Sequence, residues 1–473
     1  MRHKKATPDP QKLPMDTLKK SITLKQATIY GIGIILGAGI YALIGEAAGM
    51  AGNAVWLAFV VSAIIASFTA LSYAELSKLF PKSAAEFVYV QETTKSKALA
   101  FFIGYMTILT GFISAAAVAL GFSTYFKIFG IGNPIFIAIA VIVILSIINF
   151  RGIEESAKLN TIFTIIEAGG LIFIIIIGLS FIGSVDLLSV PSGATPFSMD
   201  FFAPILGAAA LIFFAYLGFE DIANIAEETK NPKKTVPLAL LISLIVTTII
   251  YVLVAVVAIS VVPAAELAAS SAGHSISEGP LALVASTALA NPIGGLLFTF
   301  IALFATANTI LILLIVSSRM LYGMARENTL PKALAKIHKK NKTPYIAIAV
   351  AGVISILFAL SGSIGVVAAL TNLGVFLVFF AVNGALIAYR YNNRKEKKKD
   401  DGFRVPGNIG WLPILPTLGA IFCFLMFATQ YWAPIDLGFI QMPLIVFGML
   451  VFLTAFPVFY FYRKNRSFFD KEF

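Results

Sequence analysis

Apolar runs with few charges recur from residue 22 to residue 462, and nearly every one is long enough to cross a lipid bilayer. About 20 apolar residues in a helix span roughly 30 Å of hydrocarbon, where no water is present to satisfy exposed backbone groups. Helices satisfy those groups internally, whereas membrane strands would read as alternating segments of about ten residues. The runs fall at 22–49, 53–80, 97–129, 133–150, 155–183, 201–227, 235–262, 292–325, 344–361, 364–389, 411–431 and 438–462. Charged residues make up only 12% of the chain, about half the share of a soluble domain. The expected fold class is an all-α integral membrane protein with about twelve transmembrane helices.

A net charge of +11 raises the question of a nucleic-acid partner, and the placement of the charge answers it. With twelve spans and the N-terminus inside, every Lys and Arg except Lys127 falls on the cytoplasmic side. The positive-inside rule produces that asymmetry, and one missed helix would scramble it. No nucleic-acid partner is needed. Residues 1–21 then read as a basic cytoplasmic tail without the apolar core or cleavage site of a signal peptide. Residues 390–410 read as a basic cytoplasmic loop, 411–462 as the last two spans, and 463–473 as a second cytoplasmic tail. The expected location is the cell membrane. The single cysteine, Cys423, lies inside an apolar run, so no intrachain disulfide can form. His3, His274 and His338 sit in tails or loops, and no Cys/His spacing suits a metal. We expect neither a metal nor a cofactor.

Glycine placement carries more information than composition. The first span reads Gly31-Ile-Gly33-Ile-Ile-Leu-Gly37-Ala38-Gly39-Ile40, although each Gly costs a helix roughly 1 kcal/mol relative to Ala. A close-packing face of small residues would explain Gly33 and Gly37 but leaves Gly39 over. The sixth span holds Gly218 followed by two acids, Glu220 and Asp221. Spans one and six placed in register divide the chain into two five-helix halves of opposite topology, 22–183 and 201–389. Paired interrupted segments of this kind point to an inverted-repeat transporter. Irregular backbone at membrane depth must face protein or a water-filled cavity. Freed amides at such a break favour an anion and freed carbonyls a cation. A zwitterion, of which an amino acid is the obvious example, satisfies both.

Four stretches carry a family resemblance in their order and spacing. They are Gly37-Ala38-Gly39-Ile40; Phe213-Phe214-Ala215-Tyr216-Leu217-Gly218-Phe219-Glu220 with its exit Glu227 to Pro237; Tyr73-Ala74-Glu75-Leu76 to Phe80-Pro81; and Ser318-Arg319 through Leu330-Pro331. Together they resemble the amino acid–polyamine–organocation superfamily, and within it the prokaryotic amino-acid permeases, over essentially the whole chain. The resemblance implies a LeuT-type five-plus-five fold with discontinuous helices 1 and 6, two extra C-terminal helices, and alternating access. It places a substrate carboxylate near the amides of Ala38 and Gly39, with Gly37 contributing. It places the substrate ammonium near the carbonyls of Ile35, Phe214 and Leu217. Phe214 matches the aromatic gate, with Tyr216 beside it; Ala38, Ala215 and Tyr216 are small or neutral, which leans toward uncharged substrates. Ser83-Ala84-Ala85-Glu86 stands where relatives often have a Gly-Gly stretch, implying a stiffer loop.

Acids inside membrane spans are rare and are functional candidates by default. The resemblance favours Glu220 over Asp221 for coupling or gating. It also aligns Glu167, in span five, with a position often held by a lysine that replaces a sodium ion in proton-coupled relatives. Here the charge is reversed. A lone carboxylate among apolar side chains can take up and release a proton as its surroundings change, and with hydroxyls it can hold a hard cation. Thr306, Asn308 and Thr309 are its candidate partners, Thr309 as an ion-coupling residue; H+ is the expected driving ion and Na+ the alternative. Glu227, Glu228 and Arg319 read as ion pairs at the cytoplasmic ends, worth little where exposed. The expected function is secondary active amino-acid transport by proton-coupled symport. An amino acid or polyamine exchanger without ion coupling is the alternative, and a non-transporting nutrient sensor the remote one. No nucleophile motif or phosphate loop supports an enzyme, so no catalytic residue is expected. The expected partners are an amino-acid substrate and the lipid bilayer, in a monomer or homodimer.

Overall fold

A computed structural model of the protein describes residues 18–126, 129–130, 133–272, 279–360, 364–395, 402–429, 434–436, 441–443, 446 and 453–464. Most of the N-terminal tail, Lys127, His274, residues 396–401, most of the expected 438–462 span and residues 465–473 lie outside the described residues.

The described chain is mostly helical. Its first half holds α1 (Leu24–Ala51), α2 (Val55–Leu79), α3 (Ala85–Thr94), α4 (Lys97–Phe126), α5 (Pro134–Arg151) and α6 (Ile153–Gly178). There follow α7 (Met199–Ile212), α8 (Asp221–Asn224), α9 (Pro232–Val261), α10 (Ala264–Ala272), α11 (Pro280–Leu289) and α12 (Ile293–Arg326). α13 (Tyr345–Ala359), α14 (Ile364–Asn392), α15 (Ile414–Thr429) and α16 (Ala455–Lys464) complete the order, with two short antiparallel hairpins flanking α15. Among the described residues, eight helical stretches are long and apolar enough to cross a membrane, and three further apolar helices are shorter.

Local chemistry sets the ends. Thr23 and Gln26 form a capping box at α1, each side chain accepting from the other's backbone amide (3.4 and 3.0 Å). Asn133 caps α5, with Pro134 at the first helical position, and Ser198 caps α7. Packing then sorts the faces. Ile144, Ile165, Ile176 and Ile249 are 56%, 62%, 59% and 55% exposed on α5, α6 and α9. Isoleucines so exposed in such numbers suit lipid rather than water. α12 has the opposite character. Nearly all its residues from Ile310 to Ala325 are buried, and it packs against α1, α4, α5 and α6.

Candidate functional site

α1 is interrupted at its middle, where Gly37 has φ −10° and ψ −163°. Its glycines also permit close approach. A Cβ on Gly33 would stand 2.0 Å from Thr164 Oγ1, on Gly37 2.7 Å from Thr309 Oγ1, and on Gly39 2.7 Å from Ala215 Cα. The second interruption follows α7. Phe213–Tyr216 tightens into a 3-10 turn, Leu217 is extended (φ −63°, ψ 148°), and Gly218 takes φ +113° before α8 begins. Glycine alone reaches that φ at little cost, and a Cβ there would also stand 2.7 Å from Ile34 Cγ1. Glu220 folds back, its Oε2 accepting from the freed Gly218 amide at 2.8 Å. Tyr251 of α9 links the two interruptions: its hydroxyl lies within reach of the carbonyls of Ile35 and of Ala215, the latter at 3.1 Å. A single O–H donates to one of them at a time.

Between the interruptions lies a cavity of about 130 Å³. It brings together Ile35, Gly37, Gly39, Phe214, Ala215, Leu217, Glu220 and Thr309 from the sequence-derived set, with Asp221 beside them. Spans three, eight and ten were expected to contribute, but the residues of the opposite wall were not named from sequence: Tyr73 of α2, Glu86 of α3, Thr107, Thr110, Ser114 and Val118 of α4, and Thr371, Val375 and Val378 of α14. Leu313 and Val316 of α12 add apolar surface, and among the described residues no Lys, Arg or His lines the cavity. Of Ala38, only the main chain within α1 belongs to the described structure. Tyr216 is buried off the cavity, its hydroxyl donating to the Phe59 carbonyl at 3.1 Å.

Glu167 does not line the cavity either. It is fully buried, and neither carboxyl oxygen has a hydrogen-bond partner among the described residues. Of its candidate partners, Thr306 and Thr309 donate to their own helix, to Ala302 (2.8 Å) and Ala305 (3.1 Å). Asn308 donates to the Gly33 carbonyl (3.3 Å) and Thr164 Oγ1 (3.2 Å), and accepts from Asn160 (2.8 Å).

Glu86, read only as part of a loop, is the buried first turn of α3. Its carboxylate accepts from the Tyr73 hydroxyl at 3.1 Å and from Asn224 Nδ2 at 3.2 and 3.3 Å. Burial pushes its carboxyl above the usual carboxylate range, and these hydrogen bonds partly hold it down. Ala84 before it sits in the left-handed region (φ +58°). Arg319 and Glu228 form an ion pair, and it is fully buried, joined side-on by two bonds of 3.0 Å. Arg319 Nη1 also donates to Asn149 of α5 at 2.7 Å. The sequence carried no sign of that burial, because it depends on α5 and α12 closing over residue 228. Glu227 pairs with Arg326 in a partly exposed position. The Glu228 carbonyl accepts from the amides of Ser21 and Ile22 at 3.0 Å, and the Ile22 carbonyl from Lys230 at 2.8 Å. The start of α1 and the exit of the second interrupted segment are thereby fastened together.

The sequence matches the profile of the amino acid permease family over residues 22–456. It is 31% identical over 440 residues to the branched-chain amino acid permease BcaP of Bacillus subtilis, covering 89% of this chain and 90% of that protein. The methylthioribose transporter of the same organism is 28% identical over 427 residues, covering 86% and 87% respectively. Mouse cationic amino acid transporter 4 is 28% identical over 396 residues, covering 79% of this chain and 60% of the mouse protein.

Proposed function

The chain belongs to the amino acid permease family, a family of membrane transporters, and on that premise we propose that it carries an uncharged aliphatic amino acid across the cell membrane by alternating access. One observation carries the reading: a single cavity touches both backbone interruptions and holds no basic side chain among the described residues. Amides freed after Gly37 suit the substrate carboxylate, and carbonyls freed at Ile35, Phe214 and Leu217 suit its ammonium. An acidic side chain on the substrate would meet Glu86, Glu220 and Asp221, with no cation among the described lining residues to offset them. Ile34, Leu313, Val316, Val375 and Val378 instead offer an aliphatic wall, in keeping with the branched-chain permease among the relatives.

The finer architecture we propose is twelve spans with both termini cytoplasmic, the first ten forming two inverted five-helix repeats. Phe214 closes the cavity from outside. Buried Arg319–Glu228, with the Ile22–Thr229 backbone bridge, closes the cytoplasmic side and must part for release. The transport cycle is proton-coupled, with Glu167 the group that is protonated and deprotonated. Purified protein in liposomes, offered each of the twenty labelled amino acids with and without an inward pH gradient, tests this. Gradient-driven accumulation of leucine, isoleucine or valine, with arginine and glutamate excluded, is expected. Uptake that requires preloaded internal substrate and ignores the gradient would mean exchange.

A further inference from the structure

Glu167 is buried and does not line the substrate cavity, which raises the question of how a proton reaches it. On α6, Thr164, Glu167 and Gly170 share one face at three-residue steps, about 4.5 Å apart along the axis. Thr164 meets Asn308 beside Gly33, at the level of the substrate cavity. Gly170 meets α12 on the other side of Glu167, where a Cβ would stand 2.7 Å from Ile301. Ala302, the next residue on α12, lines a second and smaller cavity with Tyr41, Tyr125 and Thr299. Its volume is about 20 Å³, enough for about one water molecule. Tyr41 is buried, and its hydroxyl has no hydrogen-bond partner among the described residues. It lies within electrostatic reach of both Glu167 and Tyr125. Side chains on a helix tilt toward its N-terminus, which brings the Tyr41 ring back from the far half of α1 toward Glu167. Among the described residues, Tyr41 on α1 and Tyr251 on α9 are the titratable groups that interact electrostatically with Glu167, with Asn308 on α12 the polar neighbour. The Tyr251 hydroxyl is occupied with the carbonyls at the substrate cavity. That leaves, among the described residues, a Tyr41 hydroxyl and a Glu167 carboxylate each without a hydrogen-bond partner, and a space that fits water on the Tyr41 side.

We propose that this small cavity admits the coupling proton, with Tyr41 relaying it to Glu167, while substrate enters by the larger cavity. Tyr41 and Glu167 are not hydrogen-bonded to each other, so a water between them completes the relay: a hydronium ion in the small cavity gives a proton to the Tyr41 oxygen as that hydroxyl passes its own proton to the intervening water, which hands one on to the carboxylate. Water remains, Tyr41 ends as it began, and Glu167 becomes a neutral carboxylic acid. The inference rests on Glu167 being the coupling group, so the test separates the two. Liposomes carrying wild type, Glu167→Gln, Tyr41→Phe or Thr299→Leu are compared for leucine accumulation under an inward pH gradient and for leucine exchange without one. Exchange needs no net proton movement and reports folding and the substrate site. Tyr41→Phe and Thr299→Leu are expected to cut accumulation by at least about 10-fold, since water only partly replaces a positioned proton donor, with exchange unchanged. Ala302→Val fills the same cavity from another residue and replaces either variant that loses exchange. Wild-type accumulation in these variants alongside its loss in Glu167→Gln overturns the route and leaves Glu167's role standing. Wild-type accumulation in Glu167→Gln overturns both.

Discussion

The two interrupted helices differ in how they are broken. α1 leaves helical geometry at Gly37 alone and resumes at once, its glycines pressed against Thr164, Thr309 and Ala215. The segment after α7 unwinds over several residues, through a 3-10 turn and an extended Leu217 to the positive φ of Gly218. Both breaks leave helical geometry and both are crowded, but only the second requires a positive φ. They share one fastening, where the amides before α1 meet the Glu228 carbonyl.

The side chain of Glu228, whose backbone makes that fastening, gives the largest expected effect through its buried pair with Arg319. Glu228→Ala leaves Arg319 buried and unpaired, which costs about 3–5 kcal/mol and is read as a lowered melting temperature of the purified protein. Glu227→Ala, one residue away but partly exposed, should cost no more than about 1 kcal/mol. Equal losses would mean that burial does not distinguish the pairs. Next comes Gly218→Ala. A strained backbone costs about 1–3 kcal/mol, and the added methyl also meets Ile34, so leucine uptake should be lost. Trimming Ile34 to Ala in the same protein should not restore it, because the φ is unchanged.

Gly37→Ala sharpens the contrast. Its Cβ meets a side-chain hydroxyl, Thr309 Oγ1, so uptake should fall and then recover substantially in the Gly37→Ala, Thr309→Ala double variant. No recovery would place both breaks in the same class. The smallest effect is expected from Tyr251→Phe, which removes one hydrogen bond to the carbonyls of Ile35 and Ala215. A net loss of about 0.5–1.5 kcal/mol should appear as a several-fold weaker apparent affinity for leucine, with the melting temperature little changed.

The glycines of both breaks were legible in the sequence because a helix rarely tolerates them without cause, and seven of the eight expected residues at the cavity lie within the two short stretches around them, Thr309 of α12 being the exception. The opposite wall was not legible. Thr107, Thr110 and Ser114 look like ordinary hydroxyls inside an apolar helix, and only the packing of α4 beside α12 turns them toward the cavity. Glu86 looked like a loop acid until Tyr73 and Asn224 closed around it. Arg319 and Glu228 lie 91 positions apart, and sequence spacing carries no information on whether such a pair is wet or dry. Glu167 was visible as an acid in an apolar run, but its separation from the substrate cavity was not.

On the proposed function the two breaks hold the two ends of a zwitterion. Equilibrium binding of labelled leucine to the purified protein, competed with 3-methylbutylamine and with 4-methylpentanoate, tests it most directly. These compounds keep the aliphatic side chain and lack the carboxylate and the amine respectively. Leucine should compete, and each truncated analogue should fail at concentrations where leucine saturates. Competition by either analogue as strong as that of leucine would contradict the account, since one break would then contribute nothing to recognition.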